Sequence, residues 1–141
     1  MKTTVVIGGT KGIGLNISKM FADRGDKTYV LSRFNDNPLF NDNLYHLSVD
    51  LQNFEEIHKT INKVFKKRNS VDYLVFAQKN RTKINDIDIE FKLTLKSIIE
   101  IIKITKKYFT NKGSIVVLGS PASQLIMDNQ PLYYHMSPYR A

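Results

Sequence analysis

The sequence contains no cysteine. This excludes a disulfide scaffold, thiol catalysis and a cysteine-ligated metal, and it favours a cytoplasmic location. No apolar run approaches the roughly 20 residues of a membrane-spanning helix, and no signal peptide precedes the first apolar strand, so we expect no membrane partner. The three histidines, His46, His58 and His135, lie on separate segments without the spacing of metal ligands, so we also expect no metal site.

Internal repeats, low-complexity runs and linkers are also lacking. With 141 residues, 42% hydrophobic and 24% charged, the composition is that of an ordinary globular protein and excludes a disordered or collagen-like chain. We therefore expect one domain over residues 1–141.

Acidic residues are the minority among the charges, and the formal net charge is +8. Such an excess favours anionic partners, including nucleotide phosphates and nucleic acid. The densest cationic group lies late in a predicted helix, where positive charge suits the negative end of the helix dipole: Lys63, Lys66, Lys67 and Arg68. A solvated helix is favoured over a nucleic-acid patch, so we expect no nucleic-acid partner.

Short apolar strands alternate with amphipathic helices along most of the chain. Strands are predicted at residues 3–7, 28–31, 45–49, 73–76 and 114–118, with a loop over 34–44. Continuous apolar strands between helices predict an α/β fold, a Rossmann-like doubly wound parallel sheet of about five strands in the order 3-2-1-4-5 covered on both faces. Ligands of such sheets bind at the carboxyl ends of the strands.

Three helices are predicted. In the first, which ends near Gly25, the apolar face is Ile13, Ile17, Met20 and Phe21. Asn53 caps the second, whose apolar face is Phe54, Ile57, Ile61, Val64 and Phe65. The third spans about 88–109, with an apolar stripe at Phe91, Leu95, Ile98, Ile102 and Phe109. Further apolar residues flank that stripe, so the surface exceeds one buried face and suggests a homo-oligomer.

A glycine-rich turn follows the first strand: Gly8-Gly9-Thr10-Lys11-Gly12-Ile13-Gly14. Glycine permits positive φ angles and lets backbone N–H groups approach a phosphate without an intervening Cβ. The helix that begins here adds the positive end of its dipole. Between a strand and a helix, the turn predicts nucleotide binding in preference to a plain tight turn.

This turn closely resembles the T-G-x-x-x-G-I-G cofactor turn of the short-chain dehydrogenase/reductase family, with Ile7 in place of the usual threonine. The resemblance runs the length of the chain but covers only the N-terminal part of the family's fold, so we expect a C-terminally shortened relative. It implies an oxidoreductase that transfers hydride between a nicotinamide cofactor and a small carbonyl or alcohol substrate.

Ser32 and Arg33 end the second strand, where an acidic residue would hold a ribose 2′-hydroxyl and repel a 2′-phosphate. Arg33 can pair with a phosphate, Ser32 can donate a hydrogen bond, and Lys11 adds a second cation. NADP is therefore favoured over NAD, and the alternative is that both cations are merely solvated. The cofactor-binding residues that the resemblance implies are Gly8, Thr10, Lys11, Gly12, Ile13, Gly14, Ser32, Arg33, Asp50, Leu51 and Ala77.

One of these assignments has an equally good alternative, and another rests on position alone. In the family an Asp at the end of the third strand contacts the adenine, but Asp50 is equally suited to be a helix-capping residue before Asn53. Ala77 matches the second Asn of the family's N-N-A-G segment, and Lys79 replaces its glycine.

The resemblance also implies a catalytic pair, with Ser120 orienting the substrate and Tyr134 as acid/base. Pro138 stands where the family has its lysine, and Thr94 where it has a supporting asparagine. Proline supplies neither a charge nor a ribose contact. Two alternatives therefore stay open: a non-catalytic NADP-binding module, and a truncated, inactive relative.

Overall fold

A computed structural model describes residues 1–34, 42–79 and 86–119 of the 141-residue chain. Its five strands are β1 (Thr3–Ile7), β2 (Lys27–Ser32), β3 (Leu44–Ser48), β4 (Val71–Phe76) and β5 (Phe109–Val117). They form one parallel sheet in the order β3-β2-β1-β4-β5, which confirms the predicted fold class and strand order. Of the predicted loop over 34–44, residues 35–41 lie outside the described residues, and Leu44 already belongs to β3.

The central strand β1 is buried along its whole length. It pairs with β2 on one side and with β4 on the other, so the order of the strands reverses between β1 and β4. In doubly wound sheets the ligand crevice opens at this reversal, beyond the carboxyl ends of the strands.

Helix α1 (Gly12–Asp23) packs on the sheet through small residues, not through the predicted apolar face. Its buried positions are Gly14, Ser18 and Ala22, whereas Ile13 and Met20 are 69% and 63% exposed. Residues four apart share one face of a helix, and three small ones let the backbone approach the sheet closely. The predicted face was therefore wrong at Ile13 and Met20.

The predicted end of α1 is confirmed. Gly25 follows the helix with a φ of 92°, and its N–H donates to the carbonyl of Ala22 over 2.9 Å. This left-handed conformation favours glycine and ends the helix.

Helix α2 (Phe54–Lys67) matches its prediction. The Glu56 N–H donates to Asn53 Oδ1 over 3.2 Å, so Asn53 caps the helix as expected. Ile57, Ile61 and Val64 are almost fully buried in the main core.

The third helical segment is interrupted. It consists of α3 (Ile87–Phe91), a π turn (Lys92–Lys96), α4 (Ser97–Thr105) and a final 3₁₀ turn (Lys106–Tyr108). The buried line is displaced by one or two residues from the predicted stripe and consists of Glu90, Leu93, Ser97, Ile101 and Thr105. From the predicted stripe, Ile98, Ile102 and Phe109 are partly buried against the core.

Polar residues in that buried line explain the displacement. The Ser97 and Thr105 hydroxyls each donate over 2.7 Å to the carbonyl four residues earlier, so they are satisfied within the helix and can be buried. Hydrophobicity does not mark such positions. Leu95 and Ile99, which are apolar, remain 40% and 43% exposed.

Strand β5 differs from its prediction in two ways. It begins at Phe109 instead of Ser114, because its pairing with β4 is irregular between Val71 and Tyr73 and takes up the additional residues. The described residues also do not cover both of its faces: Ile115, Val116 and Val117 are 44%, 46% and 52% exposed. The expected cover on both faces of the sheet is therefore not met at this strand.

At the amino ends of the parallel strands, which we call the amino edge of the sheet, charged and polar side chains contact one another. Arg24 forms an ion pair with the buried Asp26, which also accepts a hydrogen bond from Thr4 Oγ1 over 3.4 Å. Hydrogen bonding to Asp26 raises the pKa of Arg24 above its ordinary value. Lys2 Nζ donates to the Tyr73 hydroxyl over 2.5 Å, which lowers the pKa of Tyr73 below its ordinary value.

None of the helices in the described part of the chain has the length and apolarity that a membrane crossing requires.

Candidate functional site

The turn between β1 and α1 needs glycine because it passes very close to the end of β4. Gly8 has a φ of 78°, and a Cβ on it would lie 2.6 Å from Gln78 Cα and 2.7 Å from Gln78 N. A Cβ on Gly14 would lie 2.4 Å from the Gly8 carbonyl oxygen. Side chains at these two positions would therefore push the turn away from β4.

Helix α1 begins without a side-chain cap among the described residues. Lys11 precedes it in an extended conformation (φ −143°, ψ 155°), and a lysine side chain offers no acceptor that could cap the first amides. The first-turn N–H groups of Gly12, Ile13 and Gly14 have no carbonyl partner within the helix. Such amides, with the helix dipole behind them, form a site suited to a phosphate.

Ser18 supports this turn, although the sequence interpretation did not include it. Its buried hydroxyl lies 2.8 Å from the Gly14 carbonyl and 3.3 Å from the Gly9 carbonyl. A Cβ on Gly9 would lie 2.4 Å from the same Oγ. The signal was a serine four residues after Gly14, on the helix face that also carries Ala22.

A cavity of about 140 Å³ lies beyond the carboxyl ends of the parallel strands, which we call the carboxyl edge of the sheet. It brings together seven of the predicted cofactor residues: Gly8, Thr10, Lys11, Ser32, Arg33, Leu51 and Ala77. Its other described lining residues are Leu31, Phe34, Val49, Gln78, Lys79 and Leu93. Three cations and no carboxylate therefore line it within the described residues.

The remaining predicted cofactor residues do not line this cavity. Gly12, Ile13 and Gly14 form the first turn of α1, and the Ile13 side chain is 69% exposed. Asp50 Oδ1 accepts the Gln52 N–H over 3.0 Å in the turn before α2, whereas Asn53 caps that helix, so the helix-capping alternative for Asp50 is not met. A contact between Asp50 and an adenine stays a prediction.

Polar contacts fix the end of β2. The Ser32 hydroxyl donates to the Phe34 carbonyl over 2.8 Å, and His46 Nε2 lies 2.9 Å from Ser32 Oγ. Since the Phe34 carbonyl can only accept, the histidine acts as the donor to Ser32. Ser48 Oγ donates to the Arg33 carbonyl over 3.1 Å.

His46 and Ser48 therefore hold the β2 end, and the sequence interpretation missed both roles. Their signal was the pairing of β3 with β2 in the predicted strand order. The Ser32 hydroxyl donates within the chain, so a hydrogen bond from it to a cofactor stays a prediction.

The predicted catalytic pair, Ser120 and Tyr134, lies outside the described residues, as does Pro138. Thr94, at the position of the family's supporting asparagine, is described, and its hydroxyl donates to the Glu90 carbonyl over 2.7 Å. Within the described ranges, no three His, Cys, Asp or Glu side chains group together as a metal site would require.

The fold and this cavity together are typical of a nucleotide-binding α/β protein. The family model described as short chain dehydrogenase matches residues 2–134. The chain belongs to this family, whose members generally bind a nicotinamide cofactor. A comparison with curated proteins found no match.

Solved structures of the family share the fold. The chain is similar to the KRED1-Pglu enzyme (23% identity, TM-score 0.82), covering 98% of this chain and 64% of that one. It is also similar to a short-chain dehydrogenase/reductase from Saccharomyces cerevisiae (18%, TM-score 0.80), covering 99% and 60%. A third is the aldohexose dehydrogenase of Thermoplasma acidophilum (22%, TM-score 0.78), covering 97% and 56%.

The chain thus spans 56% to 64% of the length of these three proteins. At these identities the likeness shows the fold alone.

Proposed function

We propose that this chain is the dinucleotide-binding part of an NADP-dependent oxidoreductase acting on a small carbonyl or alcohol. The observation that carries the proposal is the cavity at the carboxyl edge of the sheet, where a glycine turn and an uncapped helix start meet three cations. Backbone amides can donate hydrogen bonds to the phosphates of a dinucleotide, and cations can pair with their negative charge.

The preference for NADP rests on the end of β2. Arg33 is exposed there and lines the cavity, Lys11 faces the same cavity from the glycine turn, and no acidic side chain is among the described lining residues. A 2′-phosphate carries negative charge, which these cations attract and a carboxylate would repel. Arg33 can hold it through two charge-assisted hydrogen bonds.

The strand order supports a proposal for where the two halves of the dinucleotide bind. The pyrophosphate would lie against the first turn of α1, between the two halves. The adenosine would then lie on the β2 side, against the apolar side chains of Leu31, Val49 and Leu51. The nicotinamide nucleoside would lie beyond the β1–β4 reversal, beside Ala77 and Gln78.

When bound, the nicotinamide supplies or accepts the hydride. The resemblance assigns the remaining roles to Tyr134, which would hold and move the proton at the substrate oxygen, and to Ser120, which would donate a hydrogen bond to that oxygen. Both roles are proposals, and the substrate is identified only by its carbonyl or alcohol group.

A second candidate function is NADP binding without turnover. The observation that favours it is Pro138, which stands at the position of the family's lysine. Proline has no charge to stabilise a phenolate and no donor for a ribose hydroxyl. On this account the same cavity binds the dinucleotide, and no hydride transfer follows.

Calorimetric titration of the chain with NADPH and NADH tests the shared part of both functions. We expect micromolar binding of NADPH and weaker binding of NADH. A folded chain that binds neither at millimolar concentration would exclude both candidates.

Oxidation of NADPH with a panel of aldehydes and ketones separates the two functions. Turnover that Tyr134→Phe abolishes while NADPH affinity is kept would support the oxidoreductase. Tight NADPH binding without turnover on any substrate would support the binding module.

We also propose that residues 1–141 form one domain and that the protein is cytoplasmic. We further propose that the chain self-associates through the third helical segment. Leu95 and Ile99 expose 40% and 43% of their surface on the third helical segment, and a partner copy would cover them. Sedimentation at micromolar concentration should show an oligomer that Leu95→Gln weakens, and a monomer at all concentrations would contradict this.

A further inference from the structure

Gln78 occupies an unusual place in the cavity wall. It lies two residues beyond the end of β4, after Ala77, and its backbone is the group that a Cβ on Gly8 would strike. Its side chain therefore starts beside the phosphate turn, on the β4 side of the β1–β4 reversal.

One hydrogen bond fixes the orientation of the Gln78 amide. Nε2 donates to the Leu93 carbonyl over 3.3 Å. Because a carbonyl can only accept, the group that faces it must be the NH₂, and the oxygen must point away. Leu93 belongs to the π turn, and its carbonyl also accepts the Ser97 hydroxyl over 2.7 Å. The amide is thus held by a buried part of the helix.

The other end of the amide has no partner in the described chain. Gln78 Oε1 is buried, and no donor from the described residues reaches it. The large majority of buried side-chain polar atoms in proteins are paired, so such an acceptor needs an explanation. Gln78 is among the residues that line the cavity, so we infer that a bound ligand supplies the donor for this acceptor.

The position of Gln78 indicates which part of the ligand supplies that donor. Arg33 and Ser32 mark the adenosine side of the cavity, whereas Gln78 and Ala77 lie beyond the glycine turn at the end of β4. On that side the dinucleotide offers only the hydroxyls of the nicotinamide ribose and the NH₂ of the carboxamide as donors.

We propose that Gln78 is a positioning residue whose Oε1 accepts a hydrogen bond from the nicotinamide nucleoside of the bound dinucleotide. This inference rests on the proposed function. The Leu93 contact presets the amide, so the hydrogen bond forms with little loss of side-chain freedom. Gln78 would thereby fix the nicotinamide half, while Arg33 holds the adenosine half.

Gln78→Met tests the inference, because methionine has a similar length and no acceptor of comparable strength. We expect calorimetry to show about a tenfold weaker affinity for NADP⁺, the loss typical of one hydrogen bond. Adenosine 2′,5′-bisphosphate lacks the nicotinamide half, so its affinity should be unchanged. Gln52→Met is the matched control: Gln52 follows β3, is not among the cavity residues, and should leave both affinities unchanged.

The outcomes are distinguishable. If the wild-type chain binds neither ligand, the proposed function fails and this inference fails with it. If the wild type binds NADP⁺ and Gln78→Met binds it equally well, only the inference is overturned. An equal loss for both ligands also overturns it, because the substitution would then act on the whole cavity.

A measurement on the wild type covers the case in which Gln78→Met does not fold. The side-chain amide signal of Gln78 in an NMR spectrum should shift on addition of NADP⁺ and stay in place with adenosine 2′,5′-bisphosphate. An unmoved signal with NADP⁺ would contradict the inference. The analogue with a carboxylate in place of the carboxamide identifies the donor: a retained shift indicates a ribose hydroxyl, and a lost shift indicates the carboxamide.

Discussion

The two edges of this sheet use charge in opposite ways. At the amino edge, the positive group of Arg24 contacts the carboxylate of Asp26, and Asp72 Oδ2 accepts the Thr3 N–H over 2.8 Å. At the carboxyl edge, Lys11, Arg33 and Lys79 line one cavity, and no carboxylate is among its described lining residues.

The comparison separates residues that stabilise the fold from residues placed for a ligand. Residues that only stabilise the fold are expected to pair opposite charges, as Arg24 and Asp26 do at the amino edge. Like charges in one cavity repel one another and cost stability unless an anion joins them. The carboxyl edge is therefore expected to respond to an anionic ligand, and the amino edge is not.

Two glycines give the largest expected contrast. Gly8→Ala should lower the free energy of unfolding by about 3 kcal/mol, from the left-handed conformation and the backbone clash with Gln78 combined, and should abolish NADPH binding. Gly25→Ala, at a φ of 92° with no atom within 4 Å of the added Cβ, should cost only about 1 kcal/mol and leave binding intact. Denaturant unfolding and calorimetry provide both readouts. Equal effects of the two substitutions would remove the distinction between the edges.

Asp26→Asn tests the amino edge. Asp26 is 4% exposed, and the substitution leaves Arg24 without its carboxylate, so we expect a loss of about 2 kcal/mol in the free energy of unfolding. The affinity for NADPH should not change. Glu55→Gln, at an exposed position in the first turn of α2, is the control and should cost only a few tenths of a kcal/mol. A change in NADPH affinity with Asp26→Asn would show that the two edges are coupled.

Arg33→Gln tests the carboxyl edge. Loss of the charge-assisted contact should weaken NADPH binding about tenfold, or roughly 1.4 kcal/mol, and leave NADH binding unchanged. Unfolding should be unaffected, because the Arg33 side chain is exposed. Arg68→Gln, at the end of α2, removes the same charge away from the cavity and should change neither affinity. Equal weakening of NADPH and NADH would assign Arg33 to the shared part of the cofactor.

The smallest expected effect is the titration of Tyr73. Its pKa is lowered because Lys2 Nζ donates to the phenol, and Lys2→Met should therefore raise it. With a depressed folded-state pKa, the contact stabilises the fold fully only above the ordinary tyrosine pKa, and this stabilisation is lost as the pH falls through the lowered value. NMR titration of ring-labelled tyrosines measures the pKa, and an unchanged value in Lys2→Met would contradict the assignment.

Much of the fold was predictable from local patterns. Buried parallel strands are continuous apolar runs, and Asn53 is a cap with a clear sequence signature, so the strand order and α2 were predicted correctly. The glycine turn and the end of β2 were predicted as one site because parallel strands end at the same edge, and both line the cavity.

The errors came from contacts that hydrophobicity does not record. Ser18 and Ser97 are buried because their hydroxyls bond to backbone carbonyls, so the faces of α1 and of the third helical segment were misplaced. His46 and Gln78 contact groups far away in the sequence, and only the folded arrangement brings these groups together. Tyr134 and Ser120 stay predictions.

The π turn at Lys92–Lys96 has a consequence for the tolerance of this helix to changes in length. A π turn accommodates one residue more than the same stretch of regular α-helix. We expect a single-residue deletion within this turn to restore continuous α-helix while Ile101 and Thr105 remain buried. The same deletion in α2 would rotate all later side chains by about 100° away from the core, since an α-helix turns once every 3.6 residues. We therefore expect the chain to tolerate a one-residue deletion better in the π turn, whose Leu93 lines the cavity, than in α2.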